Sequence, residues 1–265
     1  MKLHMVRAFI FCTALSYVYA NPREDEQHSY DSIKDREMFI EAFRYSEGVG
    51  VKKDPEEAAY LFRILADKGL PEAQNMLAEL YFEGEGVTQD AKESLHWHRK
   101  AAEQGNASSQ LVLADWYNEG DLVPKNEKEA FKWMLKAAQN GNHEAQLKVG
   151  LYYAIGLGHQ RNSEEAAYWY RKSADNDNSI AQFLLGLCYV KGCGVKPNYN
   201  KATEWFCRTA EQFSMVCDPA NPEDYVGLML DAGIKADPLY LTVYGVLIDS
   251  ALGAEEPTLN DNAVK

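Results

Sequence analysis

The chain has 265 residues, and its 40 acidic side chains outnumber 27 basic ones, which gives a formal net charge of −13. Such a chain repels nucleic acid and anionic membrane surfaces at long range, so the charge excludes nucleic acid as a partner and favours a basic one. The length allows a sizeable core, because a compact chain of this size buries roughly 70–75% of its unfolded surface.

Residues 1–20 have the pattern of a secretory signal peptide. Lys2 and Arg7 precede the apolar run "AFIFCTALSYVY", and Ala20 follows Val18 with one residue between. The run is too short to span a bilayer, and Cys12 lacks the preceding small residues of a lipid-anchoring cleavage site. We therefore expect an exported protein, periplasmic or secreted, that is not inserted in the membrane once the leader is removed. Residues 21–37 would form a lead segment.

A 36-residue period dominates residues 38–217. It predicts five repeats, at about 38–73, 74–109, 110–145, 146–181 and 182–217. Several residue types keep this step independently, which excludes coincidence: Tyr45, Tyr81, Tyr117, Tyr153 and Tyr189; Gly48, Gly84, Gly120, Gly156 and Gly192; Ala66, Ala102, Ala138, Ala174 and Ala210; Trp97, Trp133, Trp169 and Trp205; Gln74, Gln110, Gln146 and Gln182.

Each repeat has the pattern of two helices joined by a turn. Ala73, Leu77 and Leu80 recur at helical spacing, and Gly84 then ends the first helix in a left-handed conformation. Asp or Asn opens every second helix as its N-cap, and Gly closes the first three of them. The capping residues are Asp54, Asp90, Asn126, Asn162 and Asn198, and the closing glycines are Gly69, Gly105 and Gly141.

Two finer features accompany this pattern. Asp54 followed by Glu57 resembles a capping box, in which each side chain binds the other's backbone N–H. Small residues stand at 78, 114, 150 and 186, where they would let neighbouring helices approach closely.

A single hairpin cannot bury its apolar stripe alone, so we expect the repeats to stack. The predicted fold is an all-α solenoid of about five 36-residue helix-turn-helix repeats in a right-handed superhelix. Residues 218–252 contain two further apolar helical patterns that would cap it. Residues 253–265 have the composition of a disordered tail.

The stretch "LAELYFEGEGVTQDAKESLHWHRKAAEQGN" and its four counterparts resemble the Sel1-like repeat family, a relative of the tetratricopeptide repeats. The resemblance covers roughly 180 residues and implies an adaptor or scaffold that binds other proteins. The chain departs from the family pattern in its third loop, "EGDLVPKN", and at His159, which stands in place of valine.

Some residue patterns resemble phosphate-binding, metal-binding or catalytic sites, but structural roles within the repeats explain them better. The Gly-x-Gly element follows a helix and recurs, whereas a phosphate-binding loop follows a strand and occurs once. His96 and His98 point about 200° apart on a helix, so they cannot chelate one ion and are interpreted as surface residues. No Ser-x-x-Lys or Ser-His-Asp pattern is present. We therefore predict no catalytic residue, no metal site and no cofactor.

The four recurring tryptophans are interpreted as packing residues between helices. Exposed Trp97 and Trp133 side chains in a row would instead favour a carbohydrate or cell-wall binder. A second alternative follows from the resemblance, because cysteine-rich relatives interact with β-lactams, which would make the protein an enzyme.

Four cysteines lie near the end of the repeats: Cys188, Cys193, Cys207 and Cys217. An even number in an exported protein favours disulfides, and three pairings are open, with buried free thiols as the alternative. The resemblance to the cysteine-rich members implies a Cys207–Cys217 bond, and Cys188 with Cys193 would then close the last hairpin.

The predicted function is recognition of one protein partner by a monomer, on the concave face formed by the first helices. Side chains off the apolar stripe of these helices give an acidic patch with one aromatic anchor. They are Glu79, Phe82, Glu83, Asp115, Asn118 and Glu119.

Overall fold

The computed structural model describes residues 33–212, which form ten α-helices and no strand. The helices alternate as first and second members of the repeats. They are α1 (Ile33–Glu47), α2 (Pro55–Asp67), α3 (Pro71–Glu83), α4 (Ala91–Glu103), α5 (Ala107–Glu119), α6 (Glu127–Gln139), α7 (His143–Ile155), α8 (Ser163–Ala174), α9 (Ser179–Lys191) and α10 (Tyr199–Gln212).

The described chain divides into two compact units. The first unit contains residues 33–113 and 121–123, and the second contains 114–120 and 124–212. Helix α5 contributes residues 107–113 to the first unit and 114–119 to the second. Each unit has its own apolar core. Phe39, Phe62, Leu65 and Leu77 are buried in the first, as Leu151, Tyr170, Phe183 and Phe206 are in the second.

The second helices begin as the sequence predicts. Asp54, Asp90, Asn126, Asn162 and Asn198 each accept a hydrogen bond on the side chain from a backbone N–H in the first turn. Their own N–H groups all donate to the carbonyl of the tyrosine nine residues earlier, at 2.7–3.0 Å. One residue thus caps the second helix and fastens it to the end of the first.

The predicted capping box at Asp54 is only half present. The Glu57 N–H donates to Asp54 Oδ1 at 3.1 Å, as expected. The Asp54 N–H, however, donates to the Tyr45 carbonyl at 2.9 Å rather than to the Glu57 side chain. The last turn of α1 supplies an acceptor that the local motif alone does not reveal.

The two positions of a Gly-x-Gly loop require glycine for different physical reasons. Gly84 ends α3 with φ +74°, a left-handed conformation that costs other L-residues roughly 1 kcal/mol or more. Gly86 lies against the start of α2, where an added Cβ would sit 2.0 Å from the Pro55 carbonyl oxygen. Gly194 has the same relation to Ser163 in the second unit, at 1.9 Å. The turn interpretation of these loops is confirmed, and the second glycine serves packing.

The recurring glutamine fastens each second helix to the following first helix. Its side chain is buried, and its Nε2 donates to the alanine carbonyl eight residues earlier, at the end of the second helix. This carbonyl also accepts the backbone N–H three residues after it. The bonds join Gln74 to Ala66, Gln110 to Ala102, Gln146 to Ala138 and Gln182 to Ala174, at 2.9–3.3 Å. Each is worth about 1 kcal/mol net.

The predicted close approach at the small-residue positions is present in the second unit. An added Cβ at Gly150 would lie 2.6 Å from the Tyr170 ring, and one at Gly186 would lie 2.5 Å from the Phe206 ring. Glycine here makes room for a large aromatic side chain in the core.

The prediction of an all-α solenoid built from 36-residue helix pairs is confirmed for residues 33–212. Within that range no helix is long and apolar enough to cross a bilayer. The predicted signal peptide, the C-terminal capping helices and the tail lie outside the described residues.

Candidate partner-binding surface

Three of the predicted contact residues lie at the end of α3, in the first unit. Phe82 is 49% exposed, although it is a large apolar side chain. Glu83 is exposed, and Glu79, one turn earlier, is half-buried. The Gln89 side chain donates to the Phe82 carbonyl at 2.7 Å, which fastens the following loop to this helix end. The structure therefore places an exposed aromatic side chain beside two carboxylates at one helix end, and we call these three residues the α3 patch.

Glu79 has a defined position because a buried side chain holds it. Asn75 Nδ2 donates to Glu79 Oε1 at 2.9 Å, and Asn75 is 3% exposed. A carboxylate that is held by a buried donor loses less conformational entropy on binding than a freely rotating one.

The other three predicted residues lie in the part of α5 that belongs to the second unit, and there the carboxylate of Asp115 is paired with a lysine. Lys148 Nζ donates to both carboxylate oxygens of Asp115 at 2.9 Å. Lys148 also lies 3.4 Å from Glu144. Burial raises the pKa of Asp115, although the Lys148 ammonium opposes this effect. Asn118 is half-buried and Glu119 is exposed. Asp115 thus contributes less negative potential than an unpaired carboxylate would.

The acidic character of this helix position is confined to two repeats. Glu79 and Asp115 correspond, at steps of 36, to Leu151 and Leu187. Both leucines are buried, with 0% and 3% exposure. An acidic contact surface at this register therefore belongs to the second and third repeats alone.

Two of the four recurring tryptophans are buried, as the packing interpretation predicts. Trp97 is 4% exposed and Trp169 is 7% exposed. Trp133 and Trp205 are half-buried, and each has a cation over its ring, Lys136 at 4.1 Å and Arg208 at 4.7 Å. The exposed row of Trp97 and Trp133 that would favour a carbohydrate binder is not found.

The interpretation of both helix-α4 histidines as surface residues was wrong for one of them. His96 is exposed, but His98 is 2% exposed. Burial lowers the pKa of His98 to about 4, so the imidazole is neutral at pH 7. Its Nδ1 lies 3.1 Å from Ser109 Oγ, which donates to Asn75 Oδ1 at 2.7 Å. The sequence held a signal for this, because Phe62, Met134, Tyr170 and Phe206 occupy the same register.

The predicted bond between Cys188 and Cys193 is not observed. Cys188 lies fully buried in the second core, and burial raises the pKa of its thiol far above the usual value. Cys193 is half-buried in the next turn, where its N–H donates to the Cys188 carbonyl at 3.1 Å. The Cys207–Cys217 pairing stays a prediction, because Cys217 lies outside the described residues.

The first unit also has an open pocket of about 500 Å³ that the sequence did not indicate. Among its lining residues, the Arg63 guanidinium lies over the Tyr81 ring, 5.3 Å from the ring centroid. Asp90 and Glu93 also line the pocket, and Asp90 already caps α4. The lining carries both charges and has no enclosed apolar floor, unlike a typical small-molecule site.

Comparisons with known proteins agree with this architecture. The family model described as Sel1 repeat matches five segments, at residues 42–70, 71–106, 107–142, 143–178 and 179–212. These segments begin a few residues away from the divisions drawn above, since a periodic pattern has no unique starting point. A search of curated proteins finds no match.

Two solved structures are similar over most of the chain. A Sel1 repeat protein from Oxalobacter formigenes is 30% identical, with a TM-score of 0.63, over 95% of this chain and 98% of that one. The protein c5321, a protective antigen present in uropathogenic Escherichia coli strains, is 29% identical with the same TM-score. That match covers 82% of this chain and 54% of c5321, so the chain spans about half of its length.

Proposed function

Because the chain belongs to the Sel1 repeat family, we propose that it is a non-enzymatic scaffold that binds a protein partner through the α3 patch. The observation that carries this proposal is the exposure of Phe82 beside two carboxylates. Large aromatic side chains dominate the energy of protein interfaces when they are covered, and a polar rim around them sets orientation.

The charge of the patch selects the chemistry of the partner. Glu79 and Glu83 lie near Phe82 at the end of the same helix, and the whole chain has a net charge of −13. Lysine or arginine side chains around an apolar centre complement this arrangement, and the opposite charges accelerate association at low salt. The partner we propose is a protein with a basic surface.

We further propose that the protein is exported, to the periplasm or the exterior. The support is the charged, apolar and small-residue order of residues 1–20. The description of c5321 as a protective antigen is compatible with such a location.

The test begins with affinity capture of partners from the source organism, followed by association kinetics of purified components. The double variant Glu79→Lys/Glu83→Lys should slow association at low salt by at least tenfold, whereas Phe82→Ala should mainly speed dissociation. The matched control is Glu103→Lys/Glu211→Lys, which makes the same charge change at exposed positions away from the patch.

The control separates local recognition from net charge. If both double variants slow association equally, the patch is not the binding surface. Circular dichroism of every variant must match that of the parent before rates are compared. Turnover of a chromogenic β-lactam by the purified parent would contradict the non-enzymatic part of the proposal.

A further inference from the structure

The core of the second repeat carries polar side chains at four registers that are mostly apolar elsewhere. Ser94 stands where other repeats have Ala58, Ala130, Ala166 and Ala202. Ser109 stands where they have Ala73, Ala145 and Ala181, apart from the exposed Glu37 on α1. The other two exceptions are His98, in a register of large apolar side chains, and Asn75, whose counterparts are Phe39, Leu111, Leu147 and Phe183. All four polar residues are buried in the first unit. We call them the polar cluster.

Three members of the polar cluster form one directed hydrogen-bond chain. Because Asn75 Nδ2 donates to Glu79, its Oδ1 is the acceptor for Ser109 Oγ–H. The Ser109 oxygen can then accept from His98 Nδ1–H, so the neutral tautomer with the proton on Nδ1 is required. The chain therefore runs from a buried imidazole on α4, through α5, to a carboxylate at the edge of α3.

The surroundings of His98 do not favour a positive charge. Ser94, one turn earlier on the same helix, is 0% exposed, and its hydroxyl has no hydrogen-bond partner. Residues 107–113 of α5 carry no ionisable side chain. Apart from His98, every ionisable side chain on α2, α3 and α4 occupies a half-buried or exposed position. They are Glu56, Glu57, Tyr60, Arg63 and Asp67 on α2, Glu72, Glu79, Tyr81 and Glu83 on α3, and Lys92, Glu93, His96, Arg99, Lys100 and Glu103 on α4. An imidazolium at this place is therefore poorly solvated.

We propose that the polar cluster is an acid-sensitive release element, which loosens the packing of α3, α4 and the start of α5 when His98 takes up a proton. The proton adds a buried charge where the other repeats have an apolar side chain. Opening of the helices lets water reach the imidazolium, so each proton bound favours the open form. The inference does not depend on the proposed partner, although the chain ends at Glu79 in the α3 patch.

Hydrogen exchange of the full chain, followed by mass spectrometry at pH 7 and pH 4.5, tests the proposal. After correction for intrinsic exchange rates, protection of residues 75–113 should fall by roughly one to two orders of magnitude at pH 4.5. This range follows from a histidine with a pKa near 4 when folded and 6.5 when unfolded. The corresponding segment of the second unit, residues 147–185, should keep its protection.

Two variants at His98 make the result specific. His98→Gln retains a hydrogen-bonding side chain without titration, and His98→Met restores the residue type found at position 134. Both should keep the protection of residues 75–113 at pH 4.5. The matched control His159→Gln removes a half-buried histidine of the second unit and should lose protection as the parent does.

Three outcomes overturn the proposal. The parent could keep the protection of residues 75–113 at pH 4.5, or both segments could lose protection equally. A folded His98 variant could also lose as much protection as the parent. If one His98 variant fails to fold at pH 7, the other decides.

Discussion

Helices α3, α4 and the start of α5 in the first unit have the same local plan as α7, α8 and α9 in the second, 72 residues apart, but their core chemistry differs. Asn75, His98 and Ser109 are joined by hydrogen bonds in the first. Their counterparts in the second are Leu147, Tyr170 and Ala181, which are buried by 98% or more and belong to one apolar cluster.

This difference shows that one backbone plan tolerates two kinds of core. An apolar core gains free energy in proportion to the area removed from water, and its stability depends little on pH. A hydrogen-bonded core contributes less net free energy per group, but it requires one arrangement of donors and acceptors. The first core is therefore the more specific one and the more sensitive to protonation.

The largest loss of stability should come from removing the aromatic ring at the centre of the apolar core in the second unit. Tyr170 is 0% exposed, and Gly150 leaves no space beside it. We expect Tyr170→Ala to destabilise the second unit by about 3–5 kcal/mol, because a cavity replaces the ring. Tyr170→Phe is the matched control. The phenol oxygen has no hydrogen-bond partner, so its removal should cost little or stabilise. Urea denaturation measures both, and equal losses would contradict the packing role of the ring.

The first unit, with its hydrogen-bonded polar core, should lose stability in acid. The pKa of His98 is lowered to about 4 by burial, so its contribution is fully present above pH 6.5 and declines as the pH falls toward 4. The loss should reach about 3 kcal/mol across that window. Urea denaturation of the parent and of His98→Met at pH 7, 5.5 and 4 gives the difference due to this residue. A constant difference between the two proteins would rule out titration at His98.

The recurring glutamines should show a smaller contrast between the units. Gln74 Oε1 accepts from Gln104 Nε2 at 2.7 Å, whereas Gln146 Oε1 is buried without a partner. Replacement by leucine should therefore cost about 1–2 kcal/mol at Gln74 and less at Gln146, where an unsatisfied oxygen is removed as well. Thermal unfolding of the two variants checks the order. A larger loss at Gln146 would contradict this account.

The smallest effect concerns the turn after α8. Asp177 has φ +60°, whereas its counterpart 72 residues earlier is Gly105 with φ +96°. Asp177→Gly should stabilise the second unit by up to about 1 kcal/mol, because glycine enters the left-handed region without steric cost. Gly105→Asp should destabilise the first unit by a similar amount. Melting temperatures that move in the same direction for both variants would contradict strain at this turn.

The repeats could be predicted from the sequence because their signals are local and recur. A capping Asp or Asn and a closing Gly each act within one turn of chain, and five copies reinforce one another. Register comparison would also have found the buried His98, since position 98 aligns with Phe62 and Tyr170. Considered without that comparison, a single histidine among charged neighbours indicates an exposed position.

Contacts between elements distant in sequence could not be predicted in this way. The pairing of Asp115 with Lys148 spans 33 residues and depends on how neighbouring helices are rotated. The hydrogen bond from Asn75 to Glu79 is local, but it becomes part of a longer hydrogen-bond chain only through Ser109, 34 residues away from Asn75. Side-chain orientation across an interface is fixed by packing, which a periodic pattern does not specify.

The second glycine of each loop has a consequence for how the protein can be shortened or lengthened. Gly86 fits against the Pro55 carbonyl, and Gln74 binds the Ala66 carbonyl, so α3 and its loop use α2 as a template. A fragment beginning at residue 71 would lose both partners and expose the surface that α2 covers. Insertions or deletions of 36 residues that preserve the phase of these two contacts should be accepted, because each new repeat brings its own glycine and glutamine. Changes of any other length would place a side chain where the loop has no room for one.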